Sequence, residues 1–351
     1  MSIPVVNSPP DSHTSYVLPQ LAGEKITLPG WKGVFRILAS SNQTNGGLAV
    51  MSGASFLADA PGFHWHEEAH DIFMVIKGYV KLWVGDKCRI LSPGDFAYAP
   101  PFWKVVHNPQ WIGPHTESFC LVAPGDWVDF FRFSAMEFDG LILPENAKGD
   151  EEKMIAMMLA AKDKFDVHYI MPHHNYQPPE LGDWLETENK LGEPLQPYFL
   201  RGNTGPRWMS GGVMSRPFIL ARQNGGRFAI SSIESSSTYK KSIFESYIKF
   251  AAADHCLFIV EGKLKVELQG SSGVNELHDG ETVVISAGQG FKLDFASPFV
   301  KFFSVANGRG IETLIQDSGK PFEGLVLPDK VGELDSDALA RVAKEIDATI
   351  E

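Results

Sequence analysis

The strongest constraint on this chain is that it repeats itself. "NGGLAVMSGAS" (45–55) returns as "NGGRFAISSIESS" (224–236), and "FMVIKGYVKLWVG" (73–85) returns as "LFIVEGKLKVELQG" (257–270). "LSPGDFAYAP" (91–100) returns in degraded form as "LHDGETVVISAG" (277–288), and "FDGLILPENAKGD" (138–150) as "FEGLVLPDKVGEL" (322–334). Four matches in one order, at offsets of about 180–186, mark a tandem duplication across the 351 residues. Each copy must then fold around its own core, and both copies must share one architecture.

Within a copy the residues read as strands. "YVKLWVG" and "KLKVELQG" alternate apolar and polar side chains with period two, and "NGG", "GD" and "SPGD" punctuate them as turns. Many short antiparallel strands with Gly/Pro turns predict an all-β sandwich or barrel. A helix is expected near the end of each copy, in "DEEKMIAMMLAAKDKF" and "SDALARVAKEIDATI". In the first, Met154, Met157, Met158 and Ala161 form one apolar face expected to pack on the barrel. The Pro-rich stretch from 171 to 198 reads as the connection. The expected division is 1–165 for the first domain, 166–198 for a linker and 199–351 for the second domain.

Composition narrows the function. Asp and Glu number 43 against 31 Lys and Arg, a net charge of −12, so nucleic acid and anionic membrane are not expected partners. No apolar run has the length of a membrane span, and the N-terminus has no secretory pattern, which leads to a cytoplasmic expectation. Three cysteines without C-x-x-C spacing favour neither disulfides nor a thiolate zinc site.

One stretch concentrates the chemistry: "GFHWHEEAHDIFMVIKG", residues 62–78. His64 and His66 lie two apart, so on a strand both leave the same face. Two imidazoles inside a barrel call for a partner, and a divalent metal is one. Asp71 follows a short polar turn and would return beside them in a hairpin, with Glu68 and His70 as alternatives on the same turn.

At this point the chain resembles a known family. "HWHEEAHDIFMVIKG" looks like the first cupin motif, H-x-H followed by a carboxylate and an apolar strand ending in Gly. "GDFAYAPPFWKVVHN" resembles the second, with Gly94, Asp95, Pro100 and His107. Two copies make the resemblance one to bicupins, most similar to the quercetin 2,3-dioxygenases of the fungal type, whose second cupin holds no metal. The implied fold is two tandem cupin barrels, double-stranded β-helices of jelly-roll type, with short flanking helices.

The resemblance implies metal ligands at His64, His66, Asp71 and His107, with His115 in reserve. It implies one transition metal ion per chain, Fe or Cu favoured over Mn, Co or Ni. Asp71, or Glu68, would take a proton from the substrate hydroxyl. Asp71 stands where the family usually has Glu, and His107 lies two residues beyond the family spacing, which preserves strand parity. Met51, Phe73, Tyr98, Phe102, Trp103 and Phe119 are the expected pocket for a flat enolic or phenolic aromatic cleaved with O2, a flavonol or a polyketide-like compound of specialised metabolism. Carbon monoxide would be lost if the substrate is a flavonol.

In the second copy, aligning Gly262 on Gly78 puts Ile248, Phe250 and His255 at the places of His64, His66 and Asp71. The place of His107 then falls near Lys292 to Asp294. That barrel is expected to serve structure, pocket closure or a homodimer. A non-oxidative cupin enzyme (decarboxylase, isomerase or hydrolase) and a non-catalytic binding bicupin are the competing readings.

Overall fold

A computed structural model describes residues 2–55, 62–113, 115–136, 138–140, 150–239 and 242–351. Most of the first copy's "FDGLILPENAKGD" lies outside them. The chain divides into two compact units, one made of residues 23–41 and 46–204, the other of 1–22, 42–45 and 205–351.

The first unit pairs a seven-stranded with a five-stranded antiparallel sheet. Central to the larger sheet is His70–Lys77, between Thr116–Ala123 and Phe96–Ala99. The smaller sheet holds His64–Trp65, His107–Trp111 and Val80–Val84. Its alternation follows the sequence pattern: Val80, Leu82 and Val84 are buried while Lys81 and Trp83 are only partly so. The turn from Val84 to Lys87 has two residues, and Gly85 takes φ 61°, as a tight hairpin requires.

The second unit repeats the plan with an eight-stranded and a five-stranded sheet, again antiparallel. Its core gathers Leu257, Ile259, Val266, Val283, Phe291 and Phe302. Gly78 and Gly262 end equivalent strands with φ 73° and 88°. A Cβ on Gly78 would meet the His115 carbonyl oxygen at 2.6 Å, and one on Gly262 would collide with that of Phe299. The motif glycine is thus fixed by close backbone approach.

The two units differ from the expected division at 165 and 199. Strand Tyr16–Leu18, at the start of the first copy, pairs with Thr282–Ile285 in the second unit. Its counterpart Tyr198–Leu200, at the start of the second copy, pairs with Phe96–Ala99 in the first. The larger sheet of each unit therefore receives an edge strand from the other copy. Nor is 166–198 a bare linker: His168–Tyr169 pairs with His64–Trp65, and Arg89 makes hydrogen bonds of 3.0 and 3.1 Å to buried Glu188.

Both expected helices form. Glu151–Phe165 is capped by the Asp150 side chain on the Lys153 N–H, and Ser336–Glu345 by Asp335 on Ala338. The methionine face is split, however. Met157 and the partly exposed Met154 line a cavity, whereas Met158, Ile155 and Leu159 face away from it and are exposed. All three cysteines are buried and free. Among the described residues no helix is long and apolar enough to cross a membrane.

The exchanged strand offers a test of the fold. Leu18 is fully buried against the second unit's sheet. Leu18→Ala should cost about 2–5 kcal/mol, read as a lower urea midpoint with unchanged metal content. A loss below about 1 kcal/mol would contradict the pairing.

Candidate metal centre

Strand pairing assembles the centre. His107 sits opposite His64 in the antiparallel ladder, and paired residues project to the same face. His66 follows His64 by two. Asp71 enters from the facing sheet, on the strand that runs beside Ala99 and Val122. The donor atoms of His64, His66, Asp71 and His107 all lie within 4.8 Å of one another, and all four residues are buried.

The imidazoles are aimed from behind. His64 Nδ1 donates to the Gly62 carbonyl at 2.8 Å, His66 Nδ1 to that of Asp166 at 2.5 Å, and His107 Nδ1 to that of Val105 at 2.9 Å. A carbonyl can only accept, so each Nδ1 carries a proton, and each Nε2 faces inward, where it offers a lone pair whenever it holds no second proton. Backbone carbonyls behind ligating histidines fix tautomer and ring orientation in metal sites generally.

Asp166 does more than hold His66. It sits past the end of its helix with φ 55°, and its carboxylate accepts the N–H groups of Glu67, Glu68 and Ala69 at 2.7, 2.8 and 3.0 Å. One residue therefore pins both the turn between ligands and the ring of His66.

Three of the four groups are joined by hydrogen bonds, with Asp71 at the centre. Asp71 Oδ2 accepts from His107 Nε2 at 2.9 Å and lies 3.3 Å from His66 Nε2. Burial alone would raise the Asp71 carboxyl, but these two hydrogen bonds outweigh it and hold the group well below the usual carboxylate range. Burial likewise opposes charge on His66, yet the bond to Asp71 raises its ring. His64 is driven well below its ordinary value by burial and by His107 and His66 beside it.

The donor set fits a first-row divalent metal. Three neutral imidazole nitrogens and one carboxylate, at metal–ligand distances of roughly 2.0–2.2 Å, need donor atoms within roughly 4 Å of one another. The set does not distinguish among Fe, Cu, Mn, Co and Ni.

The alternatives on the turn fall away. Glu68 is exposed and belongs neither to the grouped donors nor to the lining of the cavity described below. His70 points to the opposite face from Asp71, with Nδ1 2.8 Å from the Tyr98 hydroxyl. His115 pairs with Glu117 at 3.0 Å.

A cavity of about 350 Å³ opens on His64 and Asp71. Met51 and Phe73 line it; the other four expected pocket residues do not. Tyr98 and Phe119 are buried on the outward side of their strands, because Ala97 and Ala99, and Cys120 and Val122, take the inward positions. Phe102 and Trp103 stand on a loop, 48% and 57% exposed. The aromatic wall comes from elsewhere: Trp31 stacks on Phe35 and Phe35 on Phe131, each pair 4.6 Å between centroids. Among the described residues no Lys or Arg lines the cavity.

The second unit shows the same scaffold with other side chains. Ile248 pairs with Phe291 as His64 does with His107. Phe291, not Lys292 to Asp294, therefore holds the place of His107. Phe250 and His255 hold those of His66 and Asp71, with ring centroids 4.5 Å apart. His255 Nε2 accepts the Ile311 N–H at 3.3 Å, and burial pushes its pKa down to about 3.

Two outcomes follow. His66→Ala should remove most of one bound metal equivalent per chain, measured by elemental analysis, while leaving the circular dichroism spectrum intact. His255 gives a pH dependence. The unfolded ring takes a proton near pH 6.5 and the folded ring only near 3, so stability present above pH 6.5 is lost as pH falls between them. His255→Gln, which keeps an acceptor but does not titrate, should flatten that slope in urea titrations; an unchanged slope would contradict it.

Comparison with known proteins agrees with this architecture. Residues 58–122 match the Cupin domain family. Bacillus subtilis quercetin 2,3-dioxygenase is 29% identical over 135 residues, 38% of this chain and 39% of that protein, so the chain spans about two fifths of that relative. Protein Ylba from E. coli superposes with TM-score 0.51 at 12% identity, covering 86% of this chain and 93% of that one. A variant of Bacillus subtilis oxalate decarboxylase gives TM-score 0.48 at 13% identity, covering 85% and 78%. The chain is a two-barrel cupin fold, and its first barrel carries a buried His/Asp group that could bind a metal ion.

Proposed function

We propose that this protein is a metal-dependent dioxygenase that cleaves a flat enolic or phenolic aromatic with O2. The observation that carries the reading is a His₃–Asp donor set at one end of an aromatic cavity that, among the described residues, no Lys or Arg lines. Partial similarity to a quercetin 2,3-dioxygenase points the same way. Among the described residues no side-chain cation stands in the cavity to pair a second carboxylate, which favours the dioxygenase reading over the decarboxylase alternative.

His64, His66, Asp71 and His107 would hold the metal, Fe or Cu being favoured. Bound there, it supplies stabilisation of an anionic substrate oxygen and the redox chemistry that lets dioxygen react. The chain's own residues do the rest. Asp71 uses Oδ2 toward both histidines, leaving Oδ1 to take a proton from a substrate hydroxyl. The aromatic wall orients a planar ring and excludes water from it.

Oxygen uptake by metal-loaded protein, against a panel of flavonols, enols and small dicarboxylic acids, tests the reading. Consumption with an aromatic enol supports it. Carbon dioxide release from a dicarboxylic acid without oxygen consumption would overturn it. Within it, Asp71→Asn should lower turnover by about two orders of magnitude or more even where metal is retained, Asp71→Glu should keep measurable activity, and Glu68→Gln should change little.

A further inference from the structure

Tyr169 occupies a place the ligand set does not account for. Strand His168–Tyr169 runs antiparallel to His64–Trp65 with Tyr169 opposite His64, while His107 lies opposite His64 on the other side. The three side chains form one row across the sheet, on its cavity face. The Tyr169 ring centroid is 5.8 Å from that of His64, and Tyr169 lines the same cavity as His64 and Asp71. Among the described residues its hydroxyl has no hydrogen-bond partner.

The second unit supplies an internal comparison. There the equivalent row is Phe291, Ile248 and Ile350. Where the metal-ligand positions are apolar, the position of the tyrosine is apolar too. A residue needed only to fill the barrel beside the first ligand position could be aliphatic, as Ile350 is. The hydroxyl therefore goes with the chemistry rather than with the packing.

Other polar groups in the wall are already engaged or sealed. Cys120 Sγ and Trp111 Nε1 both point to Ser118 Oγ, at 3.8 and 3.4 Å. The indole nitrogens of Trp31 and Trp127 are unpartnered but closed off within the wall. A phenol hydroxyl facing an apolar cavity favours a ligand that brings an acceptor.

We propose that Tyr169 is a substrate-positioning residue whose hydroxyl donates to a neutral carbonyl oxygen adjacent to the ionised oxygen held at the His/Asp centre. This rests on the proposed function and adds to it a residue that positions the substrate beside the centre.

The test is anaerobic fluorescence titration of metal-loaded wild type and Tyr169→Phe with 3-hydroxyflavone, which has adjacent hydroxyl and ketone, and with 2-naphthol, which has the hydroxyl alone. Metal content and Tm are measured alongside. The expected result is unchanged metal content and Tm in the variant. Its affinity for 3-hydroxyflavone should fall about tenfold, with a change of less than about twofold for 2-naphthol. Equal loss for both probes, no loss for either, or loss of metal would overturn the inference and leave the proposed function standing. Wild type that binds neither probe would overturn both.

Discussion

The chemistry of this protein depends on one strand register, the one that sets His107 opposite His64. Side chains alternate along a strand, so a slip of one residue would turn His107 outward and bring Asn108 to the interior. The register is set by apolar burial rather than by the histidines. Strand His107–Trp111 also pairs with Val80–Val84, whose Val80, Leu82 and Val84 are buried in the core. Once those residues are inside, the parity of the neighbouring strands is decided, and with it the convergence of ligands.

Burying three imidazoles and a carboxylate together opposes folding unless each polar atom is matched. The backbone matches the outer nitrogens through the carbonyls of Gly62, Val105 and Asp166. The inner nitrogens of His66 and His107 meet Asp71. That arrangement holds the carboxylate ionised and gathers the donor atoms at one point, where loss of the Nε2 protons would free lone pairs for a metal. Asp166 links this to the helix Glu151–Phe165, so the same helix closes the cavity with Met154 and Met157 and orients His66.

The duplication separates scaffold from chemistry. Both units keep the paired strands, the motif glycine and a helix followed by a left-handed Asp, at Asp166 and Asp347. The second unit replaces three of the four ligand positions with Ile248, Phe250 and Phe291. Its remaining histidine has both ring nitrogens committed to backbone groups. The fold does not need the donors; the donors need the fold.

The sequence by itself determined the duplication, the strand character of each copy, both late helices and the His64/His66 pair, because alternation, turn residues and H-x-H spacing are local patterns, whereas Asp71 was singled out and His107 came in only through the resemblance to the cupin motifs. It left the turn ambiguous: Glu68, His70 and Asp71 stand within four positions, and only the observed strand parity sends His70 to Tyr98 and Asp71 inward. The cavity wall was largely illegible, since Trp31, Phe35, Phe131 and Tyr169 come from segments distant in sequence from the motif. Phe102 and Trp103, beside the motif, proved exposed. The exchange of edge strands Tyr16–Leu18 and Tyr198–Leu200 was equally hidden. A strand's own pattern says which face is buried, but which sheet edge receives it is decided by tertiary packing alone.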